Sequence, residues 1–189
     1  MRLIKAILAG ATGLFVIITL FSLLIPAKVH VSRVVLINTT ATEVYRQIAN
    51  FENWKKWHPV FTTDSAKLYW DTQRIAGKDP GYRIVHHGKE IIITLLSADS
   101  ASVRFLLQAR GENDIDNDVV ITKPPASPNF VQVEWRATTK LHWYPWEKWY
   151  GIFIDKLTGP GYEAALNGLK KDIEKRPLSP AGEPERIKY

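Results

Sequence analysis

The sequence predicts an α+β domain carried behind one apolar helix, and three observations predict it. Ala6 to Ile25 contains no charged residue. From Val29 onward, short runs of alternating apolar and polar residues recur between turn signals. After Trp143 the apolar residues change to helical spacing and hold it to about Ile173.

Bulk properties set the outer limits. A chain of 189 residues accommodates one domain plus a tether. Three segments are expected: an anchor over 1–28, a domain over 29–175 and a disordered tail over 176–189, where Pro177, Pro180 and Pro184 end regular structure. Seven Trp, seven Tyr and seven Phe supply bulky core material, and the absence of cysteine excludes disulfides, thiolate metal sites and a Cys nucleophile. Net charge is +6, but Lys and Arg are scattered and their longest runs are pairs such as Lys55-Lys56. That pattern describes a solvated, mildly basic surface, so no nucleic-acid partner is expected.

The N-terminal run is long enough to span a bilayer, since about 20 residues at 1.5 Å rise cross roughly 30 Å of hydrocarbon. A cleaved signal peptide is the rival, but its apolar region is shorter, about 7–15 residues, and Ile25-Pro26-Ala27 makes a poor cleavage site. A single-pass anchor is therefore preferred. Arg2 and Lys5 precede the span while Lys28 and Arg33 follow it closely, and a short charged tip of this kind usually stays inside, placing the domain outside the cytoplasm.

Each element then has its own signal. Val29, Val31, Arg33, Val35 and Ile37 share one face of a strand. Thr40 and Glu43 stand at capping-box spacing before a helix bearing Val44, Ile48 and Phe51. Asn50 and Asn53 separate it from a second short helix, on which Trp54 and Trp57 share a face, and Pro59 ends that helix and begins an extended segment. Strands are expected near 66–71, 81–87, 90–97, 102–109, 119–122 and 130–141, joined by turns at Asp79-Pro80-Gly81, His87-Gly88 and Asp99-Ser100. Val103, Phe105, Leu107 and Ala109 fall on one face of their strand, and Val131, Val133, Trp135 and Ala137 on one face of another, as in antiparallel strands with one wet face. A helix runs to about Leu157, Gly159-Pro160-Gly161 interrupts it, and a second begins at Pro160 with the stripe Ala165, Leu166, Leu169 and Ile173.

Catalytic and metal motifs are missing. The five histidines form no H-x-x-x-H pattern, and His86 and His87, adjacent on a strand, would face opposite ways. Asp114, Asp116 and Asp118 lack the rest of a calcium loop and read as an acidic hairpin turn. No metal and no cofactor are expected. The aromatic run Trp143–Tyr150 has two readings, a rim at a water–lipid boundary or a packed corner before the last helix; the packed corner is preferred, because so many tryptophans are costly to leave wet.

The segments VYRQIANFENWKKWHP (44–59) and GYEAALNGLKKDIE (161–174) resemble the START-like superfamily, also called SRPBCC, of polyketide cyclases and lipid transporters. A Gly-Leu-x-x-Leu-Lys run is common in that family's closing helix, and here Leu166, Gly168, Leu169 and Lys170 stand in the corresponding stretch. The strand with Trp135 and the Tyr144-Pro145-Trp146 corner are similar too, so the likeness covers about 29–175. It implies a helix-grip fold, in which a curved antiparallel sheet wraps a long C-terminal helix and leaves an apolar cavity between them. On that basis Trp54, Trp57, Trp70, Phe105, Trp135, Tyr162 and Leu166 are the expected lining. The family has no shared catalytic constellation, so no catalytic residue is carried over. The leading expectation is a membrane-anchored, non-catalytic binder of a hydrophobic small molecule or lipid. Two alternatives stand beside it: a cyclase or aromatase using Glu134, Arg136, His142 or Tyr162 as inward acid or base, and a filled-core module that binds another protein.

Overall fold

The computed structural model describes residues 2–62, 66–71, 81–127 and 129–175, the side chains of Trp70 and Asp71 excepted. The expected tail at 176–189 lies outside the described residues.

Helix α1 (Arg2–Leu23) is apolar along its length and almost wholly exposed, with Ser22 its one buried residue. Its 22 residues, with a mean hydropathy of 2.3 over an 18-residue window, are those of membrane anchors and of signal sequences alike. Strand β1 (Lys28–Asn38) follows, and its alternation is the one the sequence predicts, with Val31 and Ile37 buried and Val34 and Leu36 exposed. Thr40 caps α2 (Ala41–Ala49), its hydroxyl accepting from the Glu43 amide at 3.3 Å. Asn50 ends α2 and opens a short 3₁₀ turn by accepting from the Glu52 amide at 3.0 Å, which leads into α3 (Trp54–Trp57). His58 leaves helical geometry as expected before a proline, but Pro59 opens a one-turn helix, α4 (Pro59–Thr62), in place of an extended segment. The reason is local: the His58 carbonyl accepts from both the Phe61 and Thr62 amides and nucleates that turn.

Strands β2 (Lys67–Asp71), β3 (Gly81–His86), β4 (Lys89–Ala98), β5 (Ser102–Ala109), β6 (Ile115–Thr122) and β7 (Phe130–Lys140) complete one antiparallel sheet in the order β1-β7-β6-β5-β4-β3-β2. β1 and β2 are thus opposite edges, and α2 to α4 must cross the concave face to join them. A bulge at Leu96 interrupts the β4–β5 register and bends the sheet. The β3–β4 hairpin turns at His87 and Gly88, both at positive φ (48° and 75°). His87 therefore sits in the turn, not on a strand, and its ring lies 4.2 Å from that of His86.

Two further expectations are corrected. Asp116 and Asp118 belong to β6, which begins at Ile115, so the acidic stretch is strand and only Asp114 precedes it. Arg104 pairs with Asp116 at 2.9 Å, holding that charged row against β5. After α5 (Pro145–Gly151), α6 (Ile154–Glu174) runs unbroken through Pro160. The proline removes a single backbone donor, while packing against β1 on either side keeps the helix continuous. Arg33 on β1 clamps its first turn, meeting the Asp155 carboxylate at 2.9 and 3.2 Å. At Gly168 the helix crosses α3 so closely that a β-carbon would stand 2.1 Å from the Trp57 carbonyl oxygen.

The core fills the space between the sheet, α2–α3 and α6, with Ile48, Phe51, Phe105, Val133, Leu166 and Leu169 all essentially inaccessible.

Candidate ligand-binding site

The core does not close completely. A cavity of about 340 Å³ remains between the α3–α4 corner, the middle of the sheet and the N-terminal half of α6. Its wall combines Trp54, His58 and Phe61 from the corner, Ile84, Ile91, Leu107 and Trp135 from the sheet, and Gly161, Tyr162 and Ala164 from α6.

Of the residues expected at such a site, Trp54, Trp135 and Tyr162 line this wall. Trp57, Phe105 and Leu166 lie behind it in the packed core, and the Trp70 side chain lies outside the described residues. The rings form one network. Trp54 contacts Phe105, Trp57 and Trp135 at centroid distances of 5.3, 5.3 and 5.6 Å, and Trp135 meets Tyr162 edge-on at 5.4 Å. Edge-to-face packing of this kind fixes ring orientations as well as burying area.

Two of these rings have their N–H groups satisfied, while Trp57 Nε1 is buried without an acceptor among the described residues. Trp54 Nε1 donates to the Ile48 carbonyl at 3.0 Å, which ties α3 back to α2. Trp135 Nε1 donates to Asn117 Oδ1 at 2.9 Å, and Asn117, fully buried on β6, is itself held by its own donation to the Ile115 carbonyl. Asn117 was hidden within the supposed acidic turn. The signal that finds it is period two: Ile115, Asn117, Val119 and Ile121 share a face, and one polar member of an apolar row marks a specific partner.

His58 is the second residue that sequence reasoning did not place at the site. Its ring stacks on Trp54 at 5.2 Å and 7°, and its Nδ1 accepts from the Val60 amide at 3.3 Å. The neutral ring therefore carries its hydrogen on Nε2. Burial pushes the His58 pKa down to about 4 and the Tyr162 pKa up to about 12. Both effects have one cause: an apolar surround penalises the charged form of each group. At neutral pH the imidazole and the phenol are both uncharged hydrogen-bonding groups.

The other acid–base candidates lie elsewhere. Glu134 is on the opposite face of the sheet, bonded to Arg136 at 2.6 Å and to Ser32 at 2.8 Å, and those partners hold its carboxyl below the usual range. His142 belongs to a second, outer groove of about 770 Å³ between α5, the start of α6 and the β5–β6 turn. There its Nδ1 lies 3.1 Å from Glu147, and Asn113 also donates to that carboxylate. Thr158 lines both the groove and the inner cavity.

The sequence profile of the polyketide cyclase/dehydrase and lipid transport family matches residues 28–174. The chain belongs to that family. No curated protein matches it. Among solved structures it is similar to a START superfamily protein from Mycobacterium smegmatis, at 18% identity and TM-score 0.58 over 78% of this chain and 98% of that one. A protein from Thermus thermophilus is similar at 18% identity and TM-score 0.57, over 77% and 97%. One from Thermobifida fusca gives 16% and 0.55, over 82% and 99%. At these identities the structural likeness establishes the helix-grip fold alone. The hollow beneath α6 is a feature of this chain's own packing.

Proposed function

We propose that the domain binds a neutral, largely apolar small molecule or lipid beneath α6, without catalysis, and that α1 tethers it to a membrane with the domain outside the cytoplasm. The observation that carries this reading is the cavity itself: about 340 Å³, walled mostly by aromatic and aliphatic side chains with His86 and Thr158 among them, and with His58 and Tyr162 both uncharged at neutral pH. A hollow of this size falls within the range of small-ligand sites. Burying about 200 Å² of apolar ligand surface at ~25 cal/mol per Å² supplies about 5 kcal/mol, from which the cost of association is subtracted. His58 Nε2 and the Tyr162 hydroxyl give such a ligand two points to orient one polar end. The hollow also argues against a filled-core module. Trp57, Phe105 and Leu166 serve the site by bracing its wall from behind, and the family's lipid-transport members are consistent with this ligand class.

The test is direct. Chloroform–methanol extraction of the full chain, purified in a mild detergent that is not itself a lipid, is expected to release an apolar molecule in roughly stoichiometric amount. A fluorescent fatty-alcohol analogue, which carries no charge, is expected to compete with it. If nothing is released and the analogue does not bind, the proposal is wrong.

A further inference from the structure

Helix α5 has two dissimilar faces. Pro145, Lys148 and Gly151 are buried against the domain, with Gly151 pressed on Leu141 and Val29. Trp146, Tyr150, Phe153 and Leu157 follow one another at spacings of four, three and four residues, Trp149 adjoins Tyr150, and all are exposed, with Trp143 just before them. Trp143 and Trp146 are 66% and 64% accessible, so the packed corner expected from the sequence is not formed. The residues were there to fill a core, yet this stripe stays outside it. A contiguous aromatic face of this extent on a domain surface marks a site of contact with something else.

What it contacts follows from its neighbour. The buried Lys148 ammonium donates to the Ile25 carbonyl at 3.0 Å, Leu141 N–H donates to the Ala27 carbonyl at 2.8 Å, and the end of α1 packs on α5 with Ser22 fully enclosed. The exposed face is therefore fixed beside the point where α1 leaves the domain. Trp and Tyr are the side chains that favour the water–hydrocarbon boundary. Nearby, Lys28 and Lys140 stand directly opposite each other at the start of β1 and the end of β7, both exposed, with no carboxylate partner among the described residues. Paired like charges weaken a strand ladder unless anions answer them, and lipid headgroups would.

We infer that the α5–α6 aromatic face is seated in the headgroup layer of the bilayer that α1 enters, holding the domain flat on the membrane. This rests on the reading of α1 as an anchor. The seven tryptophans make the test clean, because α1 contains none and three of the seven lie in the proposed face. The full chain is reconstituted into phosphatidylcholine–phosphatidylglycerol vesicles with acyl chains brominated near the headgroup, and fluorescence quenching is measured alongside flotation. Quenching is expected, and a W143F/W146F/W149F variant should float equally while losing most of it. Flotation without quenching would overturn the seated face and leave the anchor standing; failure to float would remove both. Since the chain has no cysteine, Tyr150→Cys adds a single thiol. An unquenched protein whose Tyr150→Cys form cross-links into dimers would assign the face to a second copy instead.

Discussion

His58 offers the sharpest test of the cavity's polarity. Its pKa falls from 6.5 to about 4 on folding, a gap of about 2.5 pH units caused by burial beside Trp54 and Trp135. At 1.36 kcal/mol per unit this is worth about 3 kcal/mol in total. The unfolded imidazole takes up its proton near pH 6.5 while the folded one resists to about 4, so between those values the unfolded chain binds more protons. Stability from this group is therefore constant above about pH 7, falls as pH drops through the window, and levels off below about 4. By pH 5 the expected loss is about 2 kcal/mol. His58→Asn removes the titration while its amide oxygen can still accept from the Val60 N–H. Urea unfolding in nonionic micelles, followed by tryptophan fluorescence at pH 8 and pH 5, compares the two proteins, and contributions from all other groups cancel. The stability difference between them should change by about 2 kcal/mol in favour of the variant at pH 5. Identical pH dependence in both would show that the imidazole is hydrated, and the apolar description of the cavity would fall with it.

Three further outcomes are expected. Gly161 lines the cavity on α6 with open space where a β-carbon would point, so Gly161→Leu should raise stability by about 0.5–1 kcal/mol through helix propensity while abolishing uptake of the fatty-alcohol analogue; thermal melts and binding titration read the two effects separately. Asn117→Ala leaves the buried Trp135 N–H without its acceptor and should cost about 1–3 kcal/mol in urea unfolding. Gly168→Ala places a methyl 2.1 Å from the Trp57 carbonyl oxygen, a backbone atom with little freedom to retreat, and should cost about 1–3 kcal/mol in the same assay.

How legible these features were depended on whether the local pattern and the tertiary role agreed. In β1 and β7 they agreed: Val31 and Ile37, and Val131, Val133 and Trp135, alternate in sequence because they alternate between core and solvent. In β6 they did not, since Asp116 and Asp118 face outward and Asn117 inward, and the three consecutive Asx residues imitate a turn. Pro160 hid the length of α6 in the same way, because packing against β1 outweighs one lost hydrogen bond. Trp54, Trp135 and Tyr162 were accessible to pattern reasoning because large rings cluster wherever a hollow must be walled. His58 was not: before Pro59 it reads as a helix boundary, and only the fold shows Trp54 lying flat against its ring. The exposed stripe on α5 was misjudged because the usual cost of wetting tryptophan is reckoned against water, and the side chains themselves do not say which solvent they meet.

The joint between α1 and β1 has a consequence for traffic. Residues 24–27 are its whole length, and at about 3.5 Å apiece they reach no more than about 14 Å even when pulled straight. On the proposed anchoring of α1 in lipid, such a leash forbids ferrying between distant compartments. A ligand of the proposed kind would have to be loaded and surrendered at one address, with donor and acceptor both coming within arm's length of the same patch of membrane.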